Sequence, residues 1–384
     1  MAVEAKKKLN IPITKPALTE EEARAPFESI KSGWVTQGPK VAEFEKAVAT
    51  YVGAQQGIAT TSCTTGLHLA LAAIGVGPGD EVIVPSFTFI ASANAILYTG
   101  ATVIFCEIDP RTYNADPSDI EKRITRRTKA IMPVDQIGLA CDIGAINELA
   151  KRHGVDLIED AAPTIGGTYK GRRVGSNAHQ TVFSFHPRKV ITTGEGGMIL
   201  TDDDALADRA RKLRAHGMSV SDLDRHKADR PIIEEYHDLG FNYRMTDIQA
   251  SIGLVQLRRL DELLRIRVAK ANRYNAELAK IKGLEVPYTP PYATHTYQSY
   301  CVRLTNDCKV DREDLMSRLL KRGIATRRGV MASHLEKVYR DRVGNVSLPV
   351  TEEAARTTML IPLFASMTDD EQAYVIDALR EELG

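Results

Sequence analysis

The chain has 384 residues, too many for one small core, so two domains are expected. Hydrophobic residues make up 43% and charged residues 26%, and Lys+Arg and Asp+Glu balance at 50 each. That composition excludes a net field able to gather nucleic acid or a membrane surface. Cys63, Cys106, Cys141, Cys301 and Cys308 form no CxxC pair and no metal-ligand rhythm, which suits a reducing cytoplasm and a protein without a metal. The start, MAVEAKKKLNIPI, has no apolar core for a signal peptide, and no stretch approaches the roughly 20 apolar residues of a membrane span.

Residues 1–38 are expected to form an irregular arm ending in SGWVTQGP. Its Trp34, the only tryptophan, suits either a core or a cleft in such a Gly-flanked loop. Pro39 opens a helix over 39–52, with Val41, Phe44, Val48 and Tyr51 on one face. A strand at 57–61 leads to a helix over 64–74. The GVGPG run after it follows a helix rather than opening one, so it reads as a helix stop and not a dinucleotide loop. Strands at 81–84, 102–106, 129–134 and 155–158 then alternate with helices at 88–98, 116–125 and 143–152. The strands are near-continuous Val/Ile runs, the mark of burial on both faces, and the alternation predicts a mainly parallel sheet with right-handed crossovers. In such sheets ligands bind at the carboxyl ends of the strands.

Strands at 182–185 and 198–201 flank the passage HPRKVITTGEGG, which holds Lys189. A helix at 205–214 follows, and the polar stretch 219–238 reads as a mobile loop. A single long helix is expected over 248–281, broken by the proline-rich GLEVPYTPPYAT. The remainder gives a strand at 300–304, a helix at 311–322, an irregular basic segment, a strand at 359–361 and a last helix opening at Thr368. The expected division is an arm (1–38), a large domain (39–250), and a long helix with a smaller C-terminal α/β domain (251–384).

Four features carry chemistry. Lys189 sits between apolar strands and close to glycines, a place where an amine is desolvated, its pKa falls and it becomes nucleophilic. Asp160 ends the buried strand VDLIED, 29 residues before Lys189, and suits either a helix cap or a partner for a cationic ring nitrogen. Thr64 and Thr65 open a helix where amides and dipole favour an anion, unless they serve only in capping with Ser62; Ser184 adds a hydroxyl. Phe89 suits either core packing or stacking on a planar ligand. An amine, a carboxylate, an anion cup and a stacking ring are together what pyridoxal 5'-phosphate (PLP) needs, with Lys189 carrying the Schiff base.

The stretches TTSCTTGLHLALAAIGVGPGDEVIVPSFTF, ATVIFCEIDPRTYN, IEDAAPTIGGTYKGRRVGS, FSFHPRKVITTGEGGMI and GFNYRMTDIQASIGLVQL resemble, in order along nearly the whole chain, the DegT/DnrJ/EryC1/StrS family of PLP-dependent sugar aminotransferases. The resemblance implies PLP fold type I, like aspartate aminotransferase, with a mainly parallel seven-stranded sheet between helices. It implies that Lys189 is the reactive lysine and moves the substrate proton, that Asp160 meets the pyridine nitrogen, that Thr64, Thr65 and Ser184 hold the phosphate, and that Phe89 stacks on the ring. Asn242, in GFNYR, would reach the phosphate of a neighbouring subunit in a homodimer with shared sites. Trp34, His186 and the segment 326–334 lie where the family meets a nucleotide-sugar, and Arg244, Arg327 and Arg328 are candidate cations for its diphosphate or solvated surface charges. The implied reaction moves an amino group from glutamate to a keto group of a nucleotide-linked hexose; a keto-cyclitol acceptor and a non-catalytic regulator are the competing readings. A sugar 3-dehydratase of the same family would carry histidine where Lys189 stands. Departures from the family are Pro163 for the usual Gln or His, Cys63 for Gly, and Asp135-Gln136-Ile137-Gly138 for His-Leu-Tyr-Gly.

Overall fold

A computed structural model describes residues 10–220, 229 and 231–384. Residues 221–228 and 230 of the 219–238 stretch expected as a mobile loop lie outside the described residues. Seven strands form the larger sheet: β1 (Gln56–Thr60), β2 (Glu81–Pro85), β3 (Thr102–Cys106), β4 (Thr128–Ile131), β5 (Asp156–Asp160), β8 (Gln180–Ser184) and β9 (Gly197–Thr201), in the order β1-β9-β8-β5-β4-β2-β3. All run parallel except β9, which pairs antiparallel with both β1 and β8. The hairpin Thr168–Tyr169 with Arg172–Arg173 supplies β6 and β7.

Alternation along the strands builds two cores. Ile83, Phe183 and Leu200 pack on one face with Phe44 and Ile143, while Val82, Val84, Val182 and Ile199 pack on the other with Leu67 and Leu71. The register of β5 on β8, Asp160 opposite Val182, therefore decides which face each carboxylate of the Glu159-Asp160 pair meets. A second, antiparallel sheet of four strands holds Leu284–Glu285, Tyr300–Leu304, Thr358–Ile361 and Arg327–Arg328 in that spatial order. Its apolar side is buried by helices Leu260–Leu278, Arg312–Lys321 and Asp369–Leu383 through Tyr274, Leu315, Leu319, Val375 and Leu379. Ile11 joins this cluster and bridges to Ile324, so the N-terminal segment packs on the smaller sheet. No helix among the described residues is long and apolar enough to cross a membrane.

Three expectations are corrected. The arm is not wholly irregular: Glu20–Ser32 is a helix, nucleated by a reciprocal cap between Thr19 and Glu22 that overcomes the internal Pro26. The long helix is two, Asp247–Arg258 and Leu260–Leu278, meeting at Arg259 (φ −96°, ψ −3°). The basic segment near the C-terminus is partly regular, with strand Arg327–Arg328 and helices Lys337–Val343 and Pro349–Thr357. Helix α3 (Cys63–Ala73) packs on β8 and β9, and its cap Ser62 lies against Gly197, where an added Cβ would stand 2.5 Å from the Ser62 carbonyl oxygen. Gly197→Ala is therefore expected to cost about 1–3 kcal/mol of stability, read as a lower denaturant midpoint, and to loosen the start of α3; an unchanged midpoint would contradict the packing described.

Candidate active site

The site gathers at the carboxyl ends of β5 and β8, with the start of α3 beside them. Asp160 is buried; its Oδ2 accepts from Ser92 Oγ at 2.7 Å and its Oδ1 from the Ala162 amide at 3.1 Å. Burial pushes its pKa up, and Ser92, Ala162 and the charge of Lys189 pull it back down. Lys189 remains partly accessible as a residue, but its amine sits in dense protein, and desolvation holds its pKa below the usual lysine range against the attraction of Cys63 and Asp160. The thiol of Cys63 feels both Asp160 and Lys189, which places these three groups at one spot, with burial pushing the thiol well up.

The lysine loop is pinned from several directions. The Lys189 amide donates to the His186 carbonyl at 2.8 Å, and Thr192 Oγ1 and the Thr193 amide donate to the Phe185 carbonyl. The Thr192 amide donates to Gln256 Oε1 at 3.2 Å. His186 is half-buried; its Nδ1 accepts from the Arg188 amide, Glu195 lies 3.9 Å from its Nε2, and burial lowers its pKa. Ser184 is buried at the end of β8.

At the mouth, Ser62 caps α3 and Thr65 completes a reciprocal cap, its Oγ1 accepting from the Ser62 amide at 3.0 Å while its hydroxyl donates to the Ser62 carbonyl at 2.8 Å. The Thr65 hydroxyl is thus committed to the cap, leaving the first-turn amides of Cys63 and Thr64 and the Thr64 hydroxyl as the donors an incoming anion would meet. Phe89 is 59% exposed just before α4 (Ala91–Tyr98), which starts three residues later than expected; Ser92 Oγ reaches its carbonyl as well as Asp160.

The cations divide. Arg328 is tied to Glu336 at 3.1 Å, a surface ion pair. Arg327 is exposed and near enough to Arg188 to lower the pKa of that guanidinium, after burial itself. Arg244 bridges to Thr60 in the backbone, and its Nη1 is buried with no hydrogen-bond partner among the described residues. Asn242 is exposed, beyond this group. Trp34 is half-buried with its indole against Gly38, in a loop whose amides at Gly38, Lys40 and Val41 donate to the buried carboxylate of Asp247.

Residue-level reading of the sequence missed Ser92 and Asp247, and marked Arg188 only as one of the residues leading into the lysine that can touch substrate. Ser92, four residues after Thr88, and Asp247, in MTD at a helix start, had visible local signals; Arg188 had only its place beside the lysine. The structure also shows why Asp135 departs from histidine without leaving a gap. On the face of β5 away from Asp160, the ligating atoms of Asp135, Cys141 and Glu159 lie within 4.8 Å of one another. Asp135 Oδ1 accepts from the Cys141 amide and Glu159 Oε2 from Thr181 Oγ1, while Asp135 Oδ2 and Glu159 Oε1 have no partner. Desolvation lifts the Asp135 pKa to about 7 and that of Glu159 well above the carboxylate range, which favours a proton held by the pair.

This sheet, its single antiparallel strand and the smaller C-terminal α/β layer are the architecture of PLP-dependent aminotransferases of fold type I. The chain belongs to the DegT/DnrJ/EryC1/StrS aminotransferase family, whose sequence profile matches residues 16–380. The spore coat polysaccharide biosynthesis protein SpsC of Bacillus subtilis (strain 168) is 39% identical over 375 residues, covering 97% of this chain and 96% of that protein. The aminotransferase TlmJ from Streptoalloteichus hindustanus superposes with a TM-score of 0.89 at 36% identity, over 97% of this chain and 98% of TlmJ. Spr1654 from Streptococcus pneumoniae, solved in a PLP form, gives a TM-score of 0.90 at 29% identity, over 97% and 98% of the two chains. The chain is accordingly a sugar aminotransferase, and PLP is its cofactor.

The carboxyl pair sets a pH dependence. Asp135 is raised from 3.8 to about 7 and Glu159 is raised too, so the folded chain binds more protons than the unfolded one between about pH 4 and pH 7. Stability falls as pH rises through that window, and Asp160, also raised, adds in the same direction. Glu159→Gln removes one of these ionisations and is expected to flatten the fall in denaturant midpoint between pH 5 and pH 8 in the cofactor-free protein. An equally steep curve in the variant would refute a shared proton.

Proposed function

We propose that this enzyme transfers the amino group of glutamate to a keto group on a nucleotide-linked hexose, with Lys189 as the reacting amine. The observation that carries the reading is the convergence of the desolvated Lys189 amine, the buried Asp160 carboxylate and Cys63 at the start of α3. The donor set fits PLP: Asp160 would meet the pyridine nitrogen, the α3 amides with the hydroxyls of Thr64 and Ser184 the phosphate, and Phe89 the ring face. When bound, PLP supplies an electron sink for a carbanion formed next to nitrogen.

The chain's own residues do the rest. Desolvation lowers the pKa of Lys189, which favours the neutral amine that can take a proton from the amino-acid α-carbon as general base. In the first half-reaction it would pass that proton on to the cofactor, and in the second it would deliver one to the sugar carbon that gains the amino group. Ser92 and Ala162 donate to Asp160 and so favour the carboxylate that would meet the pyridine nitrogen. An acceptor carrying a diphosphate is supported by Arg188 and Arg327, which lie close enough for one charge to act on the other, and separately by the buried Nη1 of Arg244, which has no hydrogen-bond partner among the described residues. The homodimer reading is supported by three exposed apolar side chains, Ile233, Tyr236 and Leu239, in the segment that leads to exposed Asn242, which a second copy would cover. The larger sheet carries the cofactor-binding unit in this reading, and the four-stranded sheet a smaller unit that completes the site.

Lys189→Ala is expected to abolish covalent retention of PLP after borohydride and to lower the transamination rate by about 10²–10⁴-fold or more. Covalent retention with unchanged turnover would remove Lys189 from its role. With a panel of keto nucleotide-sugars and glutamate, at least one product should gain the mass of an amino group. If none does and keto-cyclitols are aminated instead, the nucleotide-sugar assignment fails. Sedimentation is expected to give twice the chain mass; a fully active monomer would exclude shared sites.

A further inference from the structure

One buried cation takes no part in the site described above. Arg267, on helix Leu260–Leu278, is only 3% exposed, and its guanidinium donates to the carbonyls of Tyr297, Gln298 and Leu363. No carboxylate among the described residues pairs with it. Such a group is costly unless its donors are satisfied, and here it satisfies them on one short strap of backbone, 295–298, with a further bond to Leu363. That strap is itself distorted. Tyr297 has a φ of +47°, and His295 stacks on its ring at 4.1 Å. Side chains with positive φ persist only where the surroundings hold them, so the buried arginine and the strain belong together.

The strap crosses the carboxyl ends of three neighbouring strands. After β4, the Thr296 amide and hydroxyl both donate to the Gly138 carbonyl, and Leu139 bridges to His295. After β5, Thr296 Oγ1 also reaches the Pro163 carbonyl at 3.1 Å, three residues beyond Asp160. After β8, Gln298 Nε2 donates to the Arg188 carbonyl at 2.6 Å, one residue before the lysine. The strap thus touches both the Asp160 loop and the Lys189 loop.

We infer that Gln298, presented by the strap that Arg267 anchors, is a positioning residue that sets the place of the Lys189 amine relative to Asp160. The inference rests on Lys189 as the reacting amine. Its logic is geometric: the 186–189 turn closes on itself through the Lys189 amide, and the Gln298 amide is the contact that ties this turn to the strap. Removing the donor lets the turn move while the fold stays intact.

Gln298→Met keeps the length of the side chain and removes the donor. In the PLP-loaded enzyme, the pH midpoint of the cofactor's absorption change is expected to shift by about half a unit or more. The kcat should fall about five- to tenfold, the scale of one hydrogen bond, with KM for the acceptor within about twofold. In the cofactor-free protein, amide hydrogen exchange over 186–191 should quicken. Gln298→Asn, which keeps an amide one methylene short, should fall between parent and Met variant, and Arg267→Lys should move the same midpoint in the same direction if it folds. An unchanged midpoint with unchanged kcat overturns the proposal, as does a loss confined to thermal stability. Failure of the underlying reading looks different, because Lys189→Ala would then retain the cofactor covalently whatever Gln298 does.

Discussion

The structure depends on keeping an amine and a carboxylate together where water is scarce. Each of Asp160 and Lys189 alone would be driven toward neutrality by desolvation, Asp160 upward in pKa and Lys189 downward, and each is the other's partial relief. Neither is left to the other alone: Ser92 and Ala162 hydrogen-bond the carboxylate, and Cys63 is near enough to feel both charges. The register of β5 against β8 makes this arrangement possible. A slip of one residue would turn Glu159 toward the site and send Asp160 into the opposite core.

That alternation explains why the chain holds two adjacent carboxyls in opposite states. Asp160 meets hydrogen-bond donors and a lysine, so an ionised form is supported. Glu159 meets Thr181, Asp135 and Cys141, and with only the Thr181 hydroxyl and the Cys141 amide as donors to the pair, burial favours a proton held there. One strand thus presents a carboxylate met by hydrogen-bond donors and a lysine to one face and one pushed toward its neutral form to the other, and such a pair adds less repulsion near Asp160 than two free carboxylates would.

Much of this was legible in the sequence because the large sheet is made of strands with unambiguous Val/Ile runs and well-marked helix stops. Strand Thr102–Cys106 and helix Pro39–Val52 fell where expected for that reason. The lysine and the aspartate could be placed because both sit at strand ends. What stayed hidden depends on long-range partners. Thr65 looked free to hold an anion, but local capping takes its hydroxyl. Arg327 and Arg328 looked alike as neighbours, yet strand alternation sends one toward Glu336 and leaves the other near Arg188. Helix Glu20–Ser32 was masked by its own Pro26, although its Thr19–Glu22 cap was readable.

Pro163 shows how a departure from the family can be absorbed. A proline offers no side-chain donor to a cofactor ring, but it keeps a carbonyl, and that carbonyl accepts from Thr296 on the strap. Thr296 divides its hydroxyl between Pro163 and Gly138, and Gly138 has a φ of +99° with no room for a Cβ, which would lie 2.2 Å from Thr296 Oγ1. The close approach of strap and loops is therefore written into Gly138, Pro163 and Thr296 together. Holding the loop after Asp160 from the smaller sheet's side compensates, in rigidity, for a contact that the proline cannot make from within.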